Sequence, residues 1–580
     1  MELPPGFRYL LRFIPSFTGP SVAVYLTLKA LKSFGSVNYP RWVLLTATIL
    51  AQPVLLLLQA HYSSFTHKRR AAAHGAVRPP AVKDTALDIV MISAKAHKVG
   101  YPAEMLHDWS VKYGNSFRFN MFTSNFFATL EPEHVKAILA TQFDSFEKGS
   151  MFRSQADSLL GSGVFNTDGD MWKFHRSMTR PFFTRERISD FEIYERNCHL
   201  SLNQARDRLS EGHPIEFQDL VSRFTLDSAS EFLFGQSVGS LSAGISYPPT
   251  AERENPVSFY NHPSRIFAQA FTDAQLRLAI RLGVGNEWLL TEFFGDKIHP
   301  LRKVMDDFTE PLMKAALKKR ERDLQEKVDE KTEEPNLLAH LVKHTQNEKI
   351  LKDELVNLLV AGRDTTMTLL TSSMYMLTQH PDIEHRLRQE VFEKVGLTAA
   401  PTYESMREMK YIRAFHPYVS SLLTPFAQRS SDYTLLCRLT RGPLYIPADT
   451  SCIYSVLYMH RRTDLWGPDA LRFDPDRFLD ERLHKYLTPN PFIFCPFNAG
   501  PRICLGQQFA YHEATFYLVR LLQNFKDFKL DETANVKPPT EWRDRDDRTS
   551  GERIHLTAHL TLYVKGGLWV HMKELNSSEV

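Results

Sequence analysis

Cys504 stands in the run Phe497-Asn-Ala-Gly-Pro-Arg-Ile-Cys-Leu-Gly506, directly before an apolar, helix-forming stretch over residues 507–523. A thiol where a glycine-bearing turn enters a helix meets the unpaired amides of the helix start, which favour the thiolate. That form is a nucleophile or a metal ligand. Gly500 and Gly506 let the backbone turn tightly and lie close against a flat ligand. Arg502, two residues before the cysteine, can pair with an anionic group on such a ligand. A second reactive pair is Asp364 and Thr365, within Ala361-Gly362-Arg-Asp-Thr-Thr. An acid beside an alcohol can pass protons, and the small Ala361 and Gly362 leave room for a ligand. Trp172 and Arg176 are four apart, a spacing that puts both on one helix face.

These groups need rigid elements behind them. Between Leu351 and Gln379 there is no proline and a single glycine, and leucines recur at helical spacing, so a long helix is predicted to carry Ala361 to Thr365 and to end at His380-Pro381. A second helix is predicted after Gly506. With 580 residues, 43% hydrophobic and 24% charged, the chain can bury a sizeable core. A net charge of +3 gives no footprint for nucleic acid. Five cysteines, an odd number with no CxxC pair, read as reduced thiols and not as a zinc site.

Trp42 to Ala60 holds no charged residue. As a helix it is about 28 Å long, enough to cross the hydrocarbon layer. Residues 1–41 read as a membrane-associated segment, with Ser21 to Leu28 in or near the bilayer. Residues 61–84 read as a linker, basic at Lys68, Arg69 and Arg70 and stiff at Pro79-Pro80. The basic residues favour the cytosolic side for the chain beyond them.

Phe-x-x-Gly-x-Arg-x-Cys-x-Gly resembles the haem-binding loop of cytochrome P450 enzymes, and a chance match in a chain of this length is on the order of 10⁻⁴. The resemblance spans roughly residues 85–570, leaving 571–580 as a tail. It implies a mainly α fold with small β-sheets, one haem domain behind a transmembrane helix. It implies haem b (iron protoporphyrin IX), with Cys504 as axial ligand and Phe497, Gly500, Arg502 and Gly506 in its loop. Trp172 and Arg176 match the family's WxxxR motif at a haem propionate. Ala361 to Thr366 matches the distal-helix motif A-G-x-D/E-T-T, in which Asp364 and Thr365 would deliver protons for dioxygen reduction. Phe473-Asp-Pro-Asp-Arg-Phe478 resembles the meander that precedes the cysteine loop. The implied activity is a membrane-bound monooxygenase acting on an apolar small molecule. Its electrons would come from an NADPH-dependent flavoprotein reductase, with a b-type cytochrome as a further candidate partner. The text from Lys485 to Phe525 is most similar to fungal microsomal alkane and fatty-acid hydroxylases. That similarity implies an endoplasmic-reticulum protein with a single pass and a cytosolic catalytic domain.

One family element is missing. The lead-in Met409-Lys-Tyr-Ile-Arg-Ala-Phe415 should run on to Glu-x-x-Arg but reads His416-Pro-Tyr-Val-Ser-Ser-Leu-Leu423. Pro417 is expected to break a helix there. Glu404 and Arg407 have the right spacing but precede the lead-in, which makes the match coincidental. Read from the third base of the His416 codon, suitable codons also spell Ser-Leu-Arg-Leu-Phe-Pro-Pro, the family's ending of this helix. Residues 416–440 therefore read as a frame or splice error. Two rival readings stand beside the monooxygenase: a haem-thiolate isomerase or dehydratase, which Asp364-Thr365 argues against, and a non-catalytic haem protein, which the missing Glu-x-x-Arg supports.

Overall fold

The structure, a computed structural model, describes residues 3–35, 38–184, 188, 191–326, 336–420, 427–431, 435–437 and 443–575. Two long helices open the chain, α1 (Pro5–Phe34) and α2 (Arg41–Ala73). Among the described residues α2 alone is long and apolar enough by itself to cross a membrane; it is the candidate anchor helix. It runs past the predicted Ala60 because no breaker intervenes before Gly75, so the first part of the expected linker is helical. Helix α3 (Ala86–Val99) starts on a capping box between Thr85 and Asp88.

The strands β1 (Ser116–Met121), β2 (Ser124–Thr129), β3 (Phe146–Glu147), β4 (Ala427–Ser431) and, further on, Thr450–Tyr454 make a five-stranded sheet. Thr450–Tyr454 pairs parallel to β2 and antiparallel to β4. The inward Phe119 and Phe126 stack across the β1–β2 hairpin at 4.8 Å. The helices that build the site are α4 (Gly149–Leu160), α5 (Gly169–Thr179), α6 (Phe217–Phe234), α7 (Pro263–Val284) and α8 (Glu348–Leu377). Asn347 caps α8 by accepting from Lys349 N and Ile350 N. This is the predicted distal helix, within three residues at either end. It runs through the centre of the molecule, packs most heavily on α6 and is buried on nearly every side.

Helix α9 (Lys410–Ser420) carries Pro417 inside it, contrary to the expected break. The proline falls in the last turn, where only one backbone hydrogen bond, to Arg413, is forgone. Downstream, Leu435–Cys437 (β5) pairs with Leu444–Ile446 (β6). The rest of the aberrant stretch, residues 421–426, 432–434 and 438–440, lies outside the described residues. After the strand Thr450–Tyr454 (β7) come α10 (Gln507–Asn524), β8 (Phe525–Leu530), the hairpin of β9 (Leu556–Ala558) and β10 (Leu562–Val564), and β11 (Trp569–Glu574). β11 pairs with β8 and with Ile215–Glu216. The domain therefore extends to Glu574, four residues into the expected tail, because Val570 and Met572 are buried there.

Candidate functional site

Helix α8 and the cysteine loop face each other across a cavity of about 440 Å³. Ala361, Gly362, Asp364 and Thr365 line one side and Phe497, Arg502, Cys504 and Gly506 the other, with Arg176 on the rim. Local helix geometry accounts for Thr365: its hydroxyl donates to Ala361 O at 2.8 Å while the side chain stays open to the cavity. Gly362 has a second reason to be glycine. A Cβ there would lie 3.1 Å from the Ala229 Cβ of α6, so it serves the helix crossing as well as the cavity.

Asp364 is 1% exposed. It accepts from Arg363 Nη1 at 3.0 Å, and Gln275 and the Tyr563 hydroxyl also face its carboxyl. Burial raises its pKa, and Arg363 pulls it back. Arg363 is itself held by Ser222 Oγ at 2.5 Å and Thr272 Oγ1 at 3.1 Å. The acid–alcohol pair thus consists of a buried carboxyl with a raised proton affinity, next in sequence to a hydroxyl on the cavity wall.

In the loop behind the opposite wall Gly500, which does not itself line the cavity, adopts φ +66°, and a Cβ on it would lie 2.0 Å from Leu139 O. Only glycine fits both demands. Gly506 has an ordinary φ of −82°. The tight turn expected there is not what requires glycine. A Cβ would meet Phe183 at 3.9 Å and Cys504 Sγ at 4.0 Å, so it would project beside the thiol. Cys504 N donates to Phe497 O at 3.0 Å, which folds the loop back and presents the side chain to the cavity. Burial pushes the thiol up, with the Gly506 N–H and Arg176 pulling the other way. The depressed pKa expected from the sequence is not found, because Cys504 precedes the helix start at Gln507 and sits in a mostly apolar wall. A bound cation would deprotonate it outright.

Arg176 Nη2 donates to Ile503 O. Arg502 donates to Asp168 Oδ1 at 2.7 Å and to Thr167 O at 3.0 Å, and lies over the Trp172 ring at 4.6 Å. Trp172 is buried behind Arg502 and is not on the cavity wall. It positions a guanidinium and does not itself face the ligand space. A flat slot between a small-residue helix and a lone thiol, with two guanidinium groups at its edge, suits haem: sulfur for iron, cations for the propionates.

Comparison with known proteins decides the matter. The cytochrome P450 family model matches residues 83–545. The chain belongs to the cytochrome P450 family. Relatives of this family include cytochrome P450 52A5 of Candida maltosa, 35% identical over 73% of this chain and 79% of that protein. Cytochrome P450 52E1 of Candida apicola is 32% identical over 83% and 91%. A cytochrome P450 monooxygenase of Aspergillus japonicus is 33% identical over 74% and 73%. The enzyme is accordingly a haem-binding P450 monooxygenase, and Cys504, Arg176 and Arg502 are the groups that would hold its haem.

Several residues around this P450 site were not legible in the sequence. Asp168, Gln275 and Tyr563 have no local motif to mark them. Glu513 is 0% exposed beside Thr366, and burial raises its pKa well above the carboxylate range. Only its apolar neighbours on α10 hint that it is buried and neutral. In the meander, Arg477 is 2% exposed and donates to Trp466 O at 2.8 Å and to Asp469 O at 2.7 Å, while its Nε is buried without a partner. Helix α9 packs on this turn and contributes His416, 1% exposed, with both ring nitrogens unpartnered. Glu404 and Arg407 are exposed and do not supply the missing acceptor.

The Gly500→Ala variant is expected to lose most of its haem. A left-handed φ costs a non-glycine residue about 1–2 kcal/mol, and the clash with Leu139 O displaces the loop. The haem-to-protein ratio of purified protein reads this; a ratio equal to the parent's would show that the loop can shift without cost.

Proposed function

We propose that this enzyme hydroxylates a long apolar chain, an alkane or fatty acid, in the endoplasmic-reticulum membrane with its catalytic domain in the cytosol. One atom of dioxygen enters a C–H bond and the other leaves as water, with two electrons from NADPH supplied through a separate flavoprotein reductase. A b-type cytochrome is a second candidate donor. The observation that carries the substrate class is a pair of cavities in series. An outer cavity of about 540 Å³, with Ile89, Val90, Phe119, Phe126, Ile280 and Val284 among its walls, shares Leu560 with the inner one. Leu560 sits on the turn between β9 and β10, so a flexible chain can lie past it with one end at Cys504.

Haem bound at Cys504 supplies dioxygen reduction and oxygen insertion. The protein's own share is orientation and protons. The apolar walls exclude water and hold the chain end over Ala361 and Gly362. Thr365, released from Ala361 O, offers its hydroxyl to the cavity, and Asp364, whose proton affinity burial raises, restores the proton it gives. Residues 416–440 fit the reading of a mistranslated stretch: His416, buried with both ring nitrogens unpartnered, lies in α9, which packs on the turn of Arg477, where the family carries a Glu-x-x-Arg partner. Sequencing the transcript across this stretch tests it, and confirmation of the present frame would end it.

The functional test is turnover of dodecane and of laurate by membranes holding the full chain and a P450 reductase. Hydroxylated product that requires NADPH is expected. In the Thr365→Ala variant NADPH consumption should continue while product per NADPH falls by about 10²-fold, the low end of general acid–base effects. Turnover without NADPH would point instead to an isomerase or dehydratase. Unchanged coupling would remove Thr365 from the proton path.

A further inference from the structure

Helix α1 carries a wide apolar arc over residues 13–28, with two prolines, Pro15 and Pro20, inside it. Phe13, Ile14, Phe17, Val22, Val24, Leu26 and Leu28 cover well over half of its circumference, the remaining arc holds the small or weakly polar Ser16, Gly19, Pro20, Ala23 and Thr27, and no charged residue interrupts the stretch. Arg8 and Arg12 precede this stretch and Lys29 and Lys32 follow it. Such a helix belongs in a protein core or in lipid. It is not in the core: within α1 only Pro5 and Gly6 are buried, and Phe17 and Leu26 are 61% and 57% exposed.

Its neighbour is α2. The two helices pack along each other, joined through residues 35–40, with Lys32 Nζ donating to Tyr39 O at 3.4 Å and the Tyr39 hydroxyl to Leu28 O. Both outer ends rest on the catalytic domain. Gly6 N donates to Phe293 O at 3.0 Å, and the Phe7 and Phe293 rings lie 5.1 Å apart. At the end of α2, His67 Nδ1 is 3.2 Å from the Tyr445 hydroxyl, and Ala71 and Ala76 pack on the Tyr445 ring.

We infer that α1 and α2 enter the bilayer together as a two-pass hairpin. Lipid is then the partner of the exposed α1 face, which is continuous with that of the anchor helix. The start of α1 and the catalytic domain share one side of the membrane, and Gly35 and residues 38–40 lie on the other. This replaces the single pass expected from the sequence. Sixteen uncharged residues of α1 give about 24 Å of helix, and snorkelling of Arg12 and Lys29 covers the remainder of a ~30 Å core. Alone, α1 is less apolar than α2, so its insertion depends on packing against its neighbour. Charge agrees with the orientation. Arg8, Arg12, Lys68, Arg69 and Arg70 fall on the domain side against Lys29, Lys32 and Arg41 beyond the bilayer, and the richer side stays cytosolic.

The test uses the full chain in sealed microsomes. An N-glycosylation acceptor on a flexible spacer is placed either ahead of Pro5 or within residues 35–40. The expected result is glycan on the 35–40 acceptor alone, with a tag ahead of Pro5 digested by added protease without detergent. Glycan on the acceptor ahead of Pro5 would overturn the hairpin in favour of a single pass. Glycan on neither would overturn it in favour of helices lying within one leaflet.

Discussion

Cys504→Ser is expected to abolish the strongly red-shifted Soret band of the reduced, carbon-monoxide-bound protein and to lower hydroxylation by at least ~10³-fold, about 4 kcal/mol of lost transition-state stabilisation. Serine keeps the side chain's shape, and the loop does not depend on sulfur: Cys504 N to Phe497 O and the Gly500 conformation are backbone features. The anionic, electron-donating ligand is what disappears, since a hydroxyl does not ionise under conditions where a metal-bound thiol does. Cys495→Ser is the control. That thiol is buried, its pKa is pushed up to about 12, and its Sγ lies against Phe492 O at 3.5 Å, so the band should survive. A red-shifted band retained in Cys504→Ser, or lost in Cys495→Ser alone, would assign the ligand to the wrong cysteine.

A chain that carries His416, as this sequence does, should be acid-labile. Burial lowers its pKa to about 3, against roughly 6.5 in an unfolded chain. Below pH 6.5 the unfolded state takes up a proton that the folded state refuses, so the contribution is fully present above that value. It is lost as pH falls toward 3, amounting to roughly 5 kcal/mol over the whole window and about 2 kcal/mol between pH 7 and 5. His416→Leu keeps the packing against Phe415 and Tyr511 and removes the titration. Unfolding free energies from urea titrations of detergent-solubilised parent and variant, compared at pH 7 and pH 5, should diverge by that amount, with the variant flatter. Glu513 and Asp364, buried with raised pKa values, act in the opposite sense. They are common to both proteins, so the difference isolates His416. Parallel free energies would mean that the histidine is hydrated or paired in solution.

Both predictions separate what short stretches of sequence encode from what packing adds. The cysteine loop was legible because its requirements are local: a glycine with positive φ, a backbone turn and a following helix all lie within ten residues. The distal helix was legible because the periodicity of its leucines is a property of one element. The anchor was legible from its lack of charge. The partners were not. Arg502 looks in the sequence like a free cation for a propionate, yet in the fold it is held by Asp168, 334 residues away, with Trp172 behind it. Gly506 looks like a turn glycine and proves to be a spacer beside the thiol. Gln275 and Tyr563 reach Asp364 from α7 and β10, and Glu513 meets Thr366 only because α10 crosses under α8.

The missing Glu-x-x-Arg shows the same division. The sequence by itself determined that a family element was absent. Only the tertiary structure paired Arg477 with Asp469 and set a buried His416 in the helix packed on that turn. The pairing of α1 with α2 likewise belongs to tertiary structure. Hydropathy ranks each helix alone, whereas the side of the membrane on which α1 begins depends on what its first turn touches, here Phe293. Local geometry and periodicity can be read from neighbouring residues because the backbone fixes them. Which distant side chains neutralise, orient or cover one another is decided by close packing, and a linear sequence does not contain those distances.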